Sequence, residues 1–271
     1  MDFRSAVHAL RLPGLLLASL LATAPAAQAV PLLQLDIQNG VYDNADETTV
    51  AQSQSFTLYA YLTPSGNTSP SQLAALLSTN YYIAAAIAPK VAPPGGSYGS
   101  FSFNNTTVNA TQDMVYGTPP VEVYLGGTAN YDSGDLARHG IYDTYFKEFS
   151  FNFTNAQRST VYNAQDDTGQ GPTPTPSGGM YYMAFQVNTS LLNPNYNIHF
   201  DLYSSTLKNS TDWDINKFAP FSHDARSAYG GGGVIPEPTS LLLLGSGLAA
   251  LAARRRSARS TGPARSVPSQ S

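Results

Sequence analysis

From residue 30 onward, apolar and polar residues alternate with a period of two, and helical spacing is almost absent. Leu33-Gln34-Leu35-Asp36-Ile37 alternates cleanly, Gln38-Asn39-Gly40 turns the chain, and Ser55 to Leu62 alternates again through Phe56, Leu58, Ala60 and Leu62. The same pattern predicts strands at Tyr81 to Ile87, Tyr98 to Phe103, Val121 to Leu125, Tyr145 to Phe153, Met180 to Val187 and Asn197 to Tyr203. Tyr and Phe dominate several of these, as suits rings with one packed and one wet end. A single helix interrupts the pattern. Ser69-Pro70-Ser71-Gln72 has the form of a capping box with proline at the first helical position, and Leu73-Ala74-Ala75-Leu76-Leu77 follows with good propensity. Asn163 to Gly179, rich in Gly and Pro-Thr, reads as a long mobile loop, and Gly230 to Gly233 as a flexible tether. Short strands joined by Gly, Pro and Asn turns, with no crossover helices between them, predict an all-β fold. The expected architecture is an antiparallel β-sandwich, jelly-roll or immunoglobulin-like.

Both ends of the chain depart from this pattern. Arg4 and Arg11 flank a polar start, an apolar run extends from Leu15 to Leu21, and Ala27-Gln28-Ala29 supplies a small-x-small cleavage site. Residues 1–29 therefore read as a secretory signal helix cut after Ala29. At the other end, the fourteen residues from Ser240 to Ala253 carry no charge. As a helix they reach about 21 Å, short of the roughly 30 Å hydrocarbon core. Such a membrane helix must thin the bilayer or be held transiently, and Arg254-Arg255-Arg256 would stay cytoplasmic.

Pro236-Glu237-Pro238, the Leu-rich stretch with Gly245 and Gly247, and Arg254 to Arg256, in that order, resemble the PEP C-terminal sorting signal processed by exosortase. The resemblance implies Sec export, transient anchoring in the inner membrane, cutting near the motif, and release or attachment at the surface of an exopolysaccharide-producing cell. Ser257 to Ser271 extends beyond that pattern as a cytoplasmic tail. The domain scheme is thus a signal peptide at 1–29, an extracellular β-sandwich at 30–229, a tether at 230–235, a sorting signal at 236–256 and a disordered tail at 257–271.

Charge and composition narrow the function. Residues 30–235 hold seven Lys and Arg against sixteen Asp and Glu, a balance of −9 that excludes nucleic-acid binding by counterion release. No cysteine is present, which removes disulfides, thiolate metal sites and thiol nucleophiles together. Stability outside the cell must then come from the core or from bound ions.

Four further blocks carry a second resemblance: Leu33 to Ile37 with Tyr42-Asp43; His139 to Tyr142 before Thr144 to Phe149; His199 to Tyr203; and Lys217 to Ala225. Together they resemble the choice-of-anchor N family, which implies an extracellular domain joined to interchangeable anchors and brings no established activity.

Histidine beside aspartate is the most suggestive chemistry. His139 has Asp143 four residues on, His199 has Asp201, and His223 has Asp224. Imidazole ligates metals and serves as acid or base when a carboxylate orients it, and in a strand His199 and Asp201 share a face whereas His223 and Asp224 diverge. Without convergence in space these pairs read as structural hydrogen bonds, so no catalytic residue is assigned. Calcium is the second candidate. Asp212-Trp213-Asp214-Ile215-Asn216 opens like an EF-hand loop, but Lys217 stands where the turn needs glycine and His223 where a bidentate glutamate belongs. Asp212, Asp214 and Asn216 are candidate cation ligands, and Asp43, Asp46 and Glu47 form a comparable acidic turn. Trp213 is the position best suited to stack on a sugar ring. Neither G-x-S-x-G nor H-E-x-x-H occurs. The sequence therefore predicts a non-enzymatic structural or adhesive protein of the surface or matrix, with no obligatory cofactor. The alternatives are a carbohydrate-binding module that meets extracellular polysaccharide, with or without calcium, and a hydrolase using a His and Asp pair.

Overall fold

The computed structural model describes residues 30–120, 136, 139–209 and 212–230. The chain begins with β1 (Leu33–Ile37), β2 (Val41–Asp43), β3 (Thr48–Val50) and β4 (Ser55–Leu62), followed by α1 (Pro70–Ser78). Next come β5 (Tyr81–Ala88), β6 (Ser100–Phe103), β7 (Thr106–Asn109) and β8 (Val115–Gly117). The second half supplies β9 (Thr144–Phe151), β10 (Arg158–Ser159), β11 (Met180–Asn188), β12 (Asn197–Asn209) and β13 (Asp212–Phe218). A 3₁₀ turn at Phe221–His223 leads into β14 (Asp224–Arg226).

These strands form two sheets. One runs β1-β4-β11-β6-β7 with β10 beside β11; the other runs β2-β3-β14-β12-β5-β9-β8 with β13 beside β12. Every pairing is antiparallel except β3 with β14. The alternation that predicts the strands is also what closes the sandwich. Leu33, Leu35 and Ile37 of β1, Phe56 and Leu58 of β4, and Phe185 and Val187 of β11 meet Ile83, Ala85 and Ile87 of β5 and Ile198, Phe200 and Leu202 of β12 in one buried core. An aromatic seam joins the sheets at its centre, where Phe103 stacks on Phe149 at 4.1 Å between ring centroids and lies 5.1 Å from Phe185.

The helix forms where the capping box predicts it. Ser69 Oγ accepts from Gln72 N–H at 3.3 Å, and the Gln72 side chain accepts from Ser69 N–H at 2.8 Å. Leu73, Leu76 and Leu77 turn one side of the helix toward the core. At the start of β6, Gly99 adopts φ +86°, and a Cβ there would lie 2.1 Å from the Leu191 carbonyl oxygen. Only glycine allows the two backbones to approach this closely.

The sequence expectations need three corrections. Residues 163–179 are irregular but held, not a free loop: Gln34 accepts from Ala164 N–H at 2.9 Å and donates to the Tyr162 carbonyl at 2.9 Å, while Asp36 accepts from Gly169 N–H at 2.9 Å. Buried polar groups on β1 need partners, and the loop supplies them. Second, β12 extends to Asn209, beyond the predicted Tyr203, because β13 continues its pairing. Third, β2, β3, β7, β8, β10 and β14 lack a readable pattern because they are two to four residues long, and β13 because it is largely polar. The strand expected at Val121 to Leu125, the signal helix at 1–29 and the segments from 231 to 271 lie outside the described residues. Among those described, no helix is long and apolar enough to cross a membrane.

Candidate metal centre

The site is built on the outer face of the second sheet. Along β12, Ile198, Phe200 and Leu202 point into the core, so His199, Asp201 and Tyr203 point the other way. On one side β5 places Ala86 opposite His199 and Ala84 opposite Asp201, and these methyl groups leave room for the imidazole and carboxylate. On the other side β14 pairs Arg226 with His199 and Ala225 with Phe200, so that Asp224 and Arg226 share the outer face. The segment before β9 then covers this surface. Leu136, Tyr142, Phe146 and Tyr203 pack with Ala84 and Ala86 into a second apolar cluster, and Phe221 stacks on His139 at 4.0 Å.

This cover buries three polar side chains beside the half-buried His139. His199, Asp201 and Asp224 are 4%, 3% and 3% exposed, a burial that charged residues rarely reach unless paired. His139 Nε2 lies 2.9 Å from His199 Nε2 and 3.6 Å from Asp201 Oδ1. His199 Nε2 lies 3.4 Å from Asp201 Oδ1 and 3.3 Å from Asp224 Oδ2. One ligand atom from each of the four residues falls within 4.8 Å of the others. Tyr142, whose side chain is buried, donates its hydroxyl to the second oxygen of Asp201 and fixes that carboxylate's orientation. A cavity of about 510 Å³ reaches the cluster past His139, His199 and Asp224, with Lys90 and Arg226 among its lining residues.

Electrostatics follow from packing opposite charges without water. Burial alone would lower the His199 pKa, but the carboxylates of Asp224 and Asp201 outweigh it and raise it from 6.5 to about 9. Burial raises Asp224 to about 7, against the opposing pull of His199. Asp201 is also desolvated, yet His199, His139 and the Tyr142 hydroxyl together bring it below its ordinary value. Chemically, the cluster offers two imidazole nitrogens and two carboxylate oxygens within 4.8 Å of one another.

The structure redistributes the sequence candidates. His199 and Asp201 do share a face, whereas the other two His and Asp neighbours separate. Asp143 accepts from Thr118 Oγ1 at 2.7 Å, and His223 sits in the 3₁₀ turn with its Nε2 2.7 Å from Asn163 Oδ1. Reading each histidine with its nearest acid thus missed Asp224 as a partner of His199, and missed Tyr142. One signal could have found the site: β12 alternates Ile-x-Phe-x-Leu with His-x-Asp-x-Tyr, beside an alanine-rich β5, which marks a strand covered on both faces. Asp212, Asp214 and Asn216 lie at alternate positions along β13, and Trp213 is exposed on it. In the acidic turn, Arg226 pairs with Asp43 at 2.7 Å and Asp46 at 2.8 Å, supplying the positive charge that a calcium ion would bring.

Comparison with known proteins identifies residues 234–256 as a PEP-CTERM protein-sorting motif. The chain therefore carries the signal of an exported protein handled by exosortase, while the choice-of-anchor N resemblance finds no support there. None of the curated proteins compared matches the chain. Among solved structures, the 35 kDa C-terminal fragment of the major pilin of Streptococcus agalactiae is similar at 11% identity and TM-score 0.26. The match covers 71% of this chain and 55% of that one, so the chain spans about half the length of the pilin fragment.

Proposed function

We propose that the protein is exported by Sec, cut by exosortase and left at the cell surface or in the extracellular matrix. Its β-sandwich has a structural or adhesive role there rather than an enzymatic one. The observation that carries this reading is the sorting motif at 234–256 behind a domain with no cysteine. Two packed sheets with a continuous apolar core can persist outside the cell without disulfides. The experiment is mass spectrometry of the protein recovered from the cell surface of a host with active exosortase. The expected product starts at Val30 and ends near Pro236 to Pro238. Recovery of peptides spanning Arg254 to Arg256 from that fraction would contradict the proposal.

A second reading, a module that binds extracellular polysaccharide, is favoured by Trp213 and Phe218. Both rings are exposed, at 36% and 48%, on strand β13. Stacking of an aromatic ring on a sugar face needs such accessible rings. Glycan-array binding lost in Trp213→Ala, with the melting temperature unchanged, is the expected result under this reading. Absence of binding to any glycan by the unaltered protein removes it.

A further inference from the structure

We propose that His139, His199, Asp201 and Asp224 are the ligands of one divalent transition-metal ion of the zinc class. The distances argue for a shared centre over separate hydrogen bonds. Charge-assisted hydrogen bonds draw their atoms to roughly 2.7–2.9 Å, whereas three of the four closest separations here are 3.3, 3.4 and 3.6 Å. Tetrahedral ligands held at about 2.0–2.1 Å from zinc lie about 3.3 Å from one another. The fourth separation, 2.9 Å between the two Nε2 atoms, places two nitrogens of the same type face to face. A neutral pair can fill that gap with one proton, but that leaves the two carboxylates with few donors. The Oδ1 atom of Asp224 is in fact buried without a hydrogen-bond partner. An ion at the centre would balance both carboxylates and accept both ring nitrogens at once.

The donor set selects the ion. Two imidazoles with two carboxylates and no thiolate suit zinc and its first-row neighbours, whereas calcium takes six to eight oxygens. The Tyr142 hydroxyl holds the distal oxygen of Asp201, an outer hydrogen bond that orients a ligating carboxylate, and Phe221 stacks against His139. The cavity gives the ion a path in from solvent. Once bound, it ties β12 and β14 to the segment carrying His139, a cross-link that a cysteine-free chain cannot make with a disulfide.

The test uses the full chain, produced without a histidine tag, stripped with chelator and equilibrated with zinc chloride. Elemental analysis should find one zinc per chain. The melting temperature should rise by roughly 5–10 °C at a hundredfold excess over the dissociation constant. Cobalt should give the visible absorption of a tetrahedral centre. His139→Gln, at the least buried of the four positions, and Asp201→Asn, which keeps the side-chain shape, should each weaken zinc binding at least about 100-fold. His223→Gln should leave it unchanged. Circular dichroism of the metal-free variants establishes that they are folded before binding is measured. No zinc uptake and no change in melting temperature in the unaltered chain would overturn the proposal. So would uptake undiminished in both ligand variants.

Discussion

Replacing Phe200 by alanine should cost about 3–5 kcal/mol of folding stability, one of the largest losses any single side chain here can cause. The ring is fully buried on the inward face of β12 and meets Phe56 edge-on at 6.2 Å and Phe103 at 6.5 Å. Those two belong to the opposite sheet, so truncation removes contacts between sheets as well as apolar burial. The neighbouring rings cannot collapse into the space without leaving their own partners, because Phe103 is already stacked on Phe149. For a domain whose total stability is about 5–15 kcal/mol, the loss should lower the melting temperature by roughly 6–20 °C. Urea denaturation is the check: the midpoint should fall while the slope stays constant, since the surface exposed on unfolding hardly changes. A loss below about 1 kcal/mol would mean that the seam between the sheets can repack around the vacancy.

Phe200 was legible in the sequence, and the His and Asp cluster on the other side of the same strand was not. Period-two alternation reports which residues share a face, and it correctly groups Ile198, Phe200 and Leu202 apart from His199 and Asp201. It does not report what covers the second face. That cover comes from His139 and Tyr142, brought over the sheet from about sixty residues earlier in the chain, and from Asp224 through the pairing of β14 with β12. Strand order decides such proximity, and no local pattern encodes it. The capping box of α1 lies at the opposite extreme. Its donors and acceptors sit three residues apart, so Ser69 and Gln72 could be read directly. The fixation of the loop after β10 is illegible for a related reason: its Gly and Pro content describes how freely it bends, while its anchoring depends on Gln34 and Asp36 more than a hundred residues away.

Asp36 gives the clearest pH signature expected of the domain. Its Oδ1 accepts from Ile37 N–H at 2.8 Å and Gly169 N–H at 2.9 Å, and its Oδ2 accepts from the Tyr162 hydroxyl at 3.0 Å. Gly169 can approach because it adopts φ +80°, where a Cβ would lie 2.4 Å from the Gly40 carbonyl oxygen. Even with these donors, burial dominates and raises the pKa from 3.8 to about 6. The folded state thus holds the Asp36 proton more tightly than the unfolded chain does. Between about pH 4 and pH 6 the native state binds more protons, so the contribution of Asp36 to stability falls as pH rises, and the full cost is present above about pH 6. A shift of about two units corresponds to about 3 kcal/mol. Asp36→Asn removes the titration and keeps the shape: the amide oxygen can accept from both backbone N–H groups, and its NH₂ can donate to Tyr162, whose own proton then turns to Tyr61. Stability relative to the unaltered protein should therefore improve by up to about 3 kcal/mol between pH 4 and pH 8. Because the groups around His199 titrate in both proteins, the difference between them isolates Asp36. A difference that stays flat across that range would show that the hydrogen bonds from Gly169, Ile37 and Tyr162 fully compensate the buried carboxylate.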